Sequence, residues 1–439
     1  MTRTALASVV TGLVTSLVTG LALTPAAHAG NPATPRNFTG YGFDQCLAPS
    51  QKAMNTWLTT SPYWGVGIYI SGDSRACRSQ PNLTPRWVST QLHKGWRLLP
   101  ITLGPQAACN PRFPRYGDDE TIDDYPGRYG NYSRASNQGY AEGISTVDDA
   151  KALGIRPGST LWYDIEAFDT SDTTCRESAL RFLSSWTRKV HRLGYVAGVY
   201  SSAASGIKML DDAKAGGRDF HYPDYIWIAR WDGKANTSTT YIPDTRWNPH
   251  RRVKQYQGGH NETWGGVTIN IDRDYLDVGR GSVAPTAVQH CGGVNINFWE
   301  YGELRPGSAP PKRVKALQCL LREKGLYSGD ITGRYNTRTI NAANAWQRKI
   351  GLPVSSTWKV HHWVTLLTAG SRPVVKIGSA SAAVRRLQRA LNAALDSPNL
   401  TVTGVFNSTT GTALRTWQDR ADLPVTGVAA WNTWRRMQN

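Results

Sequence analysis

Short apolar segments alternate with amphipathic stretches through the first two thirds of the chain. Eight of the apolar segments have the length and the β-branched or aromatic content of buried strands. They are residues 40–44, 66–70, 97–101, 161–166, 196–200, 225–230, 253–256 and 267–272. Helical periodicity lies between them, at residues 50–59, 84–94, 146–153, 175–193 and 201–213. Strands that alternate with helices in this way predict an α/β fold with a parallel sheet.

The number of strands narrows the fold. Eight strands within about 250 residues favour a (β/α)8 TIM-type barrel, which we place at residues 30–280. The later connections are short and irregular, so we do not expect a regular ring of helices. A doubly wound sheet is the alternative, but no glycine-rich phosphate loop follows the first strand.

The last third of the chain contains a repeat, which follows a short linker at residues 281–290. Trp346-Gln347 recurs 71 positions later as Trp417-Gln418, and Leu352-Pro353 recurs as Leu423-Pro424. The apolar spacing within each copy predicts three helices. Each copy resembles the bacterial peptidoglycan-binding domain of the three-helix type. That resemblance implies two small all-α modules that bind peptidoglycan, at residues 291–370 and 371–439.

One detail of the repeat departs from that family. The family usually carries Asp-Gly before the aromatic residue of its first turn. Here Thr332-Gly333 and Thr403-Gly404 occupy that place. We therefore expect the fold to be kept and the ligand contacts of this turn to differ.

The chain begins with the pattern of an exported protein. Arg3, an apolar run at residues 5–23 and Ala27-His28-Ala29 have the order of a secretory signal peptide. A membrane anchor is the alternative, but Gly12 and Gly20 dilute the run, and no later segment has the roughly 18 apolar residues of a span. We expect cleavage after Ala29 and a secreted, cell-wall-associated protein without a membrane partner.

Six cysteines are present, an even number that favours disulfides in an exported chain. The sequence has no CxxC or HxxxH pair, so we predict no metal site. Cysteines that follow adjacent strands should meet, which favours Cys46–Cys77 and Cys109–Cys175, although four cysteines allow three pairings. Cys291 and Cys319 are expected to join the segment before the repeat to its first helix.

The net charge of +18 is unevenly distributed. Residues 312–439 hold 19 Lys and Arg against 5 Asp and Glu. A basic region of this kind can bind nucleic acid, or can simply keep a surface soluble. For an exported protein we expect anionic wall polymers instead, with no nucleic-acid partner, no cofactor and a monomeric state.

Candidate chemistry lies at the predicted strand ends, where barrels collect their functional residues. Asp44, Asp164 with Glu166, and Asp272 place carboxylates on three strands. Side chains two apart on a strand share a face, so Asp164 and Glu166 should point to the barrel mouth together. Crowded carboxylates raise the pKa of at least one of them, as a general acid requires. Ion pairs or helix caps are the structural alternative for each acid.

Polar and aromatic residues accompany these acids. Tyr200, Trp231 and Tyr256 come late enough in their strands to stack on sugar rings, and Arg230 and Gln255 lie beside them. We interpret these five residues as substrate-binding. His260-Asn261-Glu262 falls in the predicted loop before the eighth strand, where we expect it to order that loop.

A second resemblance covers nearly the whole predicted barrel, from Gly42 to Asp277. These residues resemble the actinobacterial glycoside-hydrolase-like domain of unknown function. The matching segments are Gly42-Phe43-Asp44, Tyr163-Asp164-Ile165-Glu166-Ala167, Gly198-Val199-Tyr200-Ser201-Ser202, Trp227-Ile228-Ala229-Arg230-Trp231-Asp232, Gln255-Tyr256 and Ile271-Asp272.

More distantly, the domain is similar to the lysozymes of glycoside hydrolase family 25, which cleave after N-acetylmuramic acid. That resemblance implies that Glu166 is the general acid and that Asp164 steadies the acetamido group or the oxocarbenium centre. Asp44 and Asp272 would then tune charge and binding. Assistance by the substrate's N-acetyl group would replace a protein nucleophile.

Two functions remain open at this stage. The first is a secreted, lysozyme-like hydrolase that two modules hold on peptidoglycan. The second is a non-catalytic wall-binding protein with a hydrolase-like barrel. Both hypotheses use the same motifs, so the residue pattern discriminates between them only weakly.

Overall fold

The computed structural model describes residues 1–2 and 30–439. Apart from Met1 and Thr2, the predicted signal peptide lies outside the described residues. Eight strands close into a barrel, which confirms the predicted fold. They are β1 (Phe38–Asp44), β2 (Gly65–Ser71), β3 (Arg97–Thr102), β6 (Thr160–Asp164), β7 (Val196–Ser202), β8 (Tyr225–Ala229), β9 (Arg251–Trp264) and β10 (Val267–Val278). Two short strands, β4 (Gln106–Ala107) and β5 (Thr121–Ile122), pair beside it.

The eighth barrel strand departs from the predicted parallel order. Seven strands run parallel, whereas β10 runs antiparallel to both β9 and β1. Gly265 and Gly266 form the turn between β9 and β10 at φ +56° and +76°. A two-residue Gly-Gly turn joins antiparallel strands, so no helix can cross over here. Closure pairs Phe38 with Val278 at one end of β1 and Asp44 with Asp272 at the other.

Five helices follow the earlier strands: α1 (Gln51–Thr60), α2 (Pro85–His93), α3 (Ser133–Ala152), α4 (Thr173–Arg192) and α5 (Gly206–Ala215). Helix α3 begins 13 residues before the predicted position because its first half is too polar to show an apolar period. Gly139 and Gly143 lie against α4 there, where a Cβ at Gly139 would collide with the Phe182 carbonyl. Helix α5 begins later than predicted because β7 continues to Ser202.

Aromatic side chains fill the barrel beneath its mouth. Trp162 and Trp227 are buried and pack edge to face, with ring centroids 5.4 Å apart. Gly198 on the neighbouring strand leaves room for Trp162, because a Cβ there would collide with the indole ring. This apolar floor keeps water away from the polar groups above it.

Each repeat copy forms three helices, as predicted. They are α6 (Pro311–Glu323), α7 (Thr337–Lys349) and α8 (Val360–Thr368), then α9 (Ala382–Ala394), α10 (Ser408–Arg420) and α11 (Trp431–Gln438). One continuous hydrophobic core runs through both copies. At the turns that depart from the family pattern, Thr332 Oγ1 accepts from Arg334 N and Thr403 Oγ1 from Val405 N, both at 3.1 Å. A threonine hydroxyl can thus close the turn in place of the aspartate carboxylate.

The structure contains three disulfides with the pairing given by the sequence interpretation: Cys46–Cys77, Cys109–Cys175 and Cys291–Cys319. The first joins the loops that follow β1 and β2, and the second joins a loop after β3 to the first turn of α4. The third ties the segment before the repeat to α6. Within residues 30–439, no helix combines the length and apolarity that crossing a bilayer would need.

Candidate active site

The predicted acids meet at the mouth of the barrel. Asp44, Glu166 and Asp272 line one cavity of about 270 Å³. Asp164 lies just below it, 2% exposed, and accepts a hydrogen bond at 3.3 Å from Tyr69, which also lines the cavity. Asp272 reaches this level in an unexpected way: it lies within the antiparallel strand β10, opposite Asp44, and not at a strand's carboxyl end.

A fifth carboxyl group, Asp274, was missed in the sequence. It is buried below Asp272 and accepts a hydrogen bond at 3.0 Å from Trp227 Nε1. Asp44 pairs with Asp272 across the two strands, and Asp274 lies two residues further along β10 on the same face, so the three carboxyl groups form a row. Asp272-Arg273-Asp274 has the same two-residue spacing as Asp164 and Glu166, but the predicted strand ended at 272 and concealed it.

Burial and mutual repulsion favour the protonated form in this row, because neighbouring carboxylates that lack water are costly to ionise together. Burial raises the pKa of Asp44 to about 8, and the charge of Asp272 adds to this effect. Burial also raises the pKa of Asp272 to about 6. The pKa values of Asp164 and Asp274 are raised well above the usual range for the same reason. Near neutral pH, the protonated form is therefore favoured for Asp44, Asp164 and Asp274, whereas Asp272 is largely ionised.

Gln255 connects the acids to the aromatic wall of the cleft. Its Nε2 donates to Asp44 Oδ2 at 2.9 Å and to Asp272 Oδ2 at 3.3 Å. Its Oε1 accepts from Tyr200 Oη at 3.0 Å and from Trp231 Nε1 at 2.8 Å. Both ends of the amide are thus engaged, which fixes the orientation of all four partners.

Glu166 lies where two cavities meet. It lines the acid cavity and also a second cavity of about 410 Å³. Tyr200, Arg230 and Trp231 line this second cavity, and the Trp231 side chain is exposed by 66%. Four of the five residues predicted to bind substrate, Gln255 included, therefore lie in or directly behind the cleft.

Two side chains missed in the sequence hold Glu166 in place. Gln106 accepts from the Glu166 backbone N at 2.8 Å and donates to the Asp164 carbonyl at 2.8 Å. Arg112 forms a salt bridge of 2.7 Å with Glu166 Oε2. Arg112 lies three residues after Cys109, whose disulfide to Cys175 restrains this loop. Neither residue lies on a predicted strand, so no strand-end rule could find them.

Tyr256 does not reach the cleft. It is 6% exposed and lines neither cavity. Successive residues of a strand face opposite sides, and the neighbouring Gln255 takes the inward position. The predicted stacking role of Tyr256 is not supported by this placement.

His260-Asn261-Glu262 lies within β9 and not in a loop, so the predicted location was wrong. The strand is much longer than its apolar part, because it continues as a hairpin with β10 that packs against α1. Glu262 accepts from Arg273 Nε at 2.8 Å and from Trp264 Nε1 at 2.7 Å. These contacts stabilise the hairpin.

One group in the described chain has metal-like spacing, Cys291, Cys319 and Glu323. Both of its sulfur atoms belong to a disulfide, so they are not free to bind a metal ion as thiolates.

Comparison with known proteins identifies two families. The model described as "Rv2525c-like, glycoside hydrolase-like domain" matches residues 55–276, about half of the chain. The model described as "Putative peptidoglycan binding domain" matches residues 311–356 and 380–437. No curated protein matches the chain.

Among solved structures, an uncharacterized B. stearothermophilus protein is 17% identical, with a TM-score of 0.32. The match covers 54% of this chain and 95% of that one. The Mycobacterium tuberculosis Tat-secreted protein Rv2525c, in complex with L-tartrate, is 14% identical with a TM-score of 0.36 over 54% of this chain and 95% of that one.

Proposed function

The chain belongs to the Rv2525c-like, glycoside hydrolase-like family, and from this we propose that it is a secreted, lysozyme-like hydrolase of peptidoglycan glycan strands. The two peptidoglycan-binding modules relate the chain to the cell wall. Export is supported by the three disulfides, which are typical of proteins outside the cytoplasm. The observation that carries the hydrolase proposal is the position of Glu166 between two cavities, beside buried acids whose pKa values are raised.

In the proposed reaction, Glu166 donates its proton to the glycosidic oxygen as the bond to the anomeric carbon breaks. The carbonyl oxygen of the substrate's N-acetyl group bonds to that carbon, and the Asp164 carboxyl group steadies the acetamido group by accepting a hydrogen bond from its N–H. Water then attacks the anomeric carbon, the bond from that carbon to the acetamido oxygen breaks, and the free sugar is released. A proton returns to Glu166 from this water, so the enzyme regains its starting state.

The other cleft residues would position the sugar. Trp231 offers an exposed indole face on which a sugar ring can stack. Arg230 and Tyr200 line the same cavity and can donate to hydroxyl groups. Gln255 would keep Trp231 in register with Asp44 and Asp272. In this proposal Asp44 and Asp272 tune charge and do not react with the substrate.

The salt bridge between Arg112 and Glu166 favours the second candidate, a non-catalytic wall-binding protein. A carboxylate held in an ion pair is not a proton donor in that arrangement. The hydrolase proposal therefore requires substrate to displace Arg112, which is exposed and has room to move.

Release of soluble muropeptides from purified cell walls tests the proposal. We expect Glu166→Gln to lower the release rate by about 100-fold or more, the range usual for general acid catalysis. Glu303→Gln is the matched control, because Glu303 also pairs with an arginine, Arg305, but lies outside the barrel. Equal release by parent and Glu166→Gln would refute the role of Glu166. Wall binding without release by the parent would establish the non-catalytic function.

A further inference from the structure

Lys376 is the only lysine in residues 371–439, where basic residues are otherwise arginines. It precedes α9 in the second module, and its side chain is completely buried, with 0% exposure. A lysine ammonium loses its hydration when buried, so it is rarely placed there without strong partners. The described structure records no salt bridge between Lys376 and a carboxylate.

The partners of Lys376 belong to the barrel. Its Nζ donates to the carbonyl oxygens of Leu58 at 2.9 Å and of Ser61 at 3.0 Å. These carbonyls end helix α1, where the helix dipole favours a positive charge. The same Nζ lies 4.6 Å from the ring centroid of Trp64 and 5.0 Å from that of Trp96. Both rings can stabilise a cation through their faces. We call these four barrel residues the lysine socket.

The lysine socket lies at the base of the barrel. Trp64 directly precedes β2 and Trp96 directly precedes β3, so both mark the amino-terminal ends of parallel strands. The acids lie at the opposite ends of these strands. A module held in the socket is therefore attached to the face away from the cleft.

Further close contacts join the second module to β1 and to residues 281–290. Gly378 approaches Phe38 and Thr39 so tightly that a Cβ at Gly378 would collide with both. Ser282 Oγ donates to the Gly378 carbonyl at 2.7 Å, and Arg385 Nη2 donates to the Pro285 carbonyl at 2.6 Å. The segment predicted as a linker is therefore bound along the second module.

The first module is joined to the second in the same way. Arg386 Nη1 on α9 donates to the carbonyls of Thr368 and Ala369, which end α8, at 3.1 and 3.0 Å. Gln438 Nε2 donates to the Thr368 carbonyl at 2.7 Å. Together with the shared core, these contacts leave no flexible joint between the two modules.

We propose that the lysine socket binds Lys376 as a fixed docking site and makes the tandem modules a rigid extension of the barrel. The modules and the cleft then lie at opposite ends of the barrel. A wall polymer bound by the modules is consequently separated from the cleft by the height of the barrel. The cleft would therefore bind a different glycan strand. The rigidity itself does not depend on whether the barrel is catalytic.

Distance measurements by pulsed electron paramagnetic resonance test this proposal on the full chain. All six cysteines are in disulfides, so spin labels can be attached at Ser145→Cys on α3 and Ser408→Cys on α10, both exposed. We expect one narrow distance distribution in the labelled parent. Lys376→Met, which keeps the length of the side chain but removes the Nζ donor to Leu58 and Ser61, should broaden it. Lys349→Met, an exposed lysine of the first module, is the control and should leave it narrow.

A broad distribution in the labelled parent would overturn the proposal. So would a distribution in folded Lys376→Met as narrow as that of the parent. If Lys376→Met does not fold, limited proteolysis of the parent tests the fixed docking instead. We expect residues 281–290 to resist cleavage under native conditions, and rapid cleavage there would refute the fixed docking.

Discussion

At the scale of single residues, the molecule concentrates its unusual chemistry in the row Asp272, Asp44 and Asp274. The three carboxyl groups lie next to one another, and the side-chain amide of Gln255 donates to Asp272 and Asp44. Asp44, Asp164 and Asp272 could be predicted because acids at strand ends are conspicuous. Asp274, Gln106 and Arg112 could not, because their importance comes from partners that are distant in sequence.

The buried acids make stability depend on pH. The pKa of Asp44 is about 8 in the folded protein, whereas an aspartate in the unfolded chain has the ordinary pKa of 3.8. The folded state therefore keeps a proton that the unfolded chain loses, and this stability is lost as pH rises through 8. Asp44→Asn cannot ionise, so we expect its free energy of unfolding to exceed that of the parent by about 1–3 kcal/mol at pH 9.

Urea denaturation between pH 5 and 9 measures this effect. Asp118→Asn serves as the control, because the Asp118 carboxyl is exposed and its hydrogen bond with Arg78 lowers its pKa. We expect the parent and Asp118→Asn to lose stability in parallel as the pH rises. If the free energy of unfolding of Asp44→Asn falls with pH as steeply as that of the parent, Asp44 does not keep a proton in the folded state.

The exposed indole of Trp231 allows a clean test of glycan binding. Trp231 and Trp299 are both 66% exposed, but only Trp231 lines a cavity of the barrel mouth. Trp231→Ala should weaken binding of N-acetylated glycan oligomers by about 1–2 kcal/mol, since a stacked aromatic ring contributes that much. Isothermal titration calorimetry of both variants checks this, with Trp299→Ala expected to bind like the parent. Equal affinities for all three proteins would exclude stacking on Trp231.

At the scale of elements, the β9–β10 hairpin decides how the barrel closes. The first part of each strand was predicted, but the polar end of β9 at residues 257–264 was not, because it has no apolar alternation. In β10 the prediction stopped at residue 272, although Asp274, Leu276 and Val278 continue the alternation of buried positions. The hairpin turn was visible as Gly265-Gly266, but the expectation of a parallel barrel outweighed it. Reversal of β10 is what brings Asp272 and Asp274 into line with Asp44.

The two turn glycines should respond differently to substitution. Both have positive φ, so an alanine costs about 1 kcal/mol of strain at either position. A Cβ at Gly265 would also lie 2.6 Å from Thr56 Cγ2 on α1, whereas a Cβ at Gly266 meets nothing within 4 Å. We expect Gly265→Ala to destabilise the protein by about 1–3 kcal/mol more than Gly266→Ala. Chemical denaturation compares them, and equal losses would mean that α1 does not restrain the turn.

At the scale of the whole molecule, barrel and modules share contacts that no sequence pattern indicated. The repeat and its three helices were predictable from periodicity. Docking depends instead on individual partners such as Lys376 and Arg386, which look like ordinary basic residues of a charged region. That is why the sequence suggested separate modules on a linker.

Arg386 provides a measure of the coupling between the modules. Its guanidinium binds two carbonyls at the end of α8 and lies 5.2 Å from the Trp434 ring centroid. Arg386→Met removes one hydrogen-bond donor from each of those carbonyls, so we expect a loss of about 1–3 kcal/mol and a less cooperative transition by calorimetry. Arg420→Met, at the exposed end of α10, is the control. An unchanged transition in Arg386→Met would show that the shared core alone couples the modules.

The pairing of Phe38 with Val278 has a consequence for the history of such chains. Because the barrel is entered and left on neighbouring strands at its base, its two ends lie side by side. A domain with adjacent ends can be excised, inserted or exchanged by recombination without disruption of its hydrophobic core. The same barrel can therefore be joined to other binding domains, and only the residues at its base need to change to fit each new neighbour.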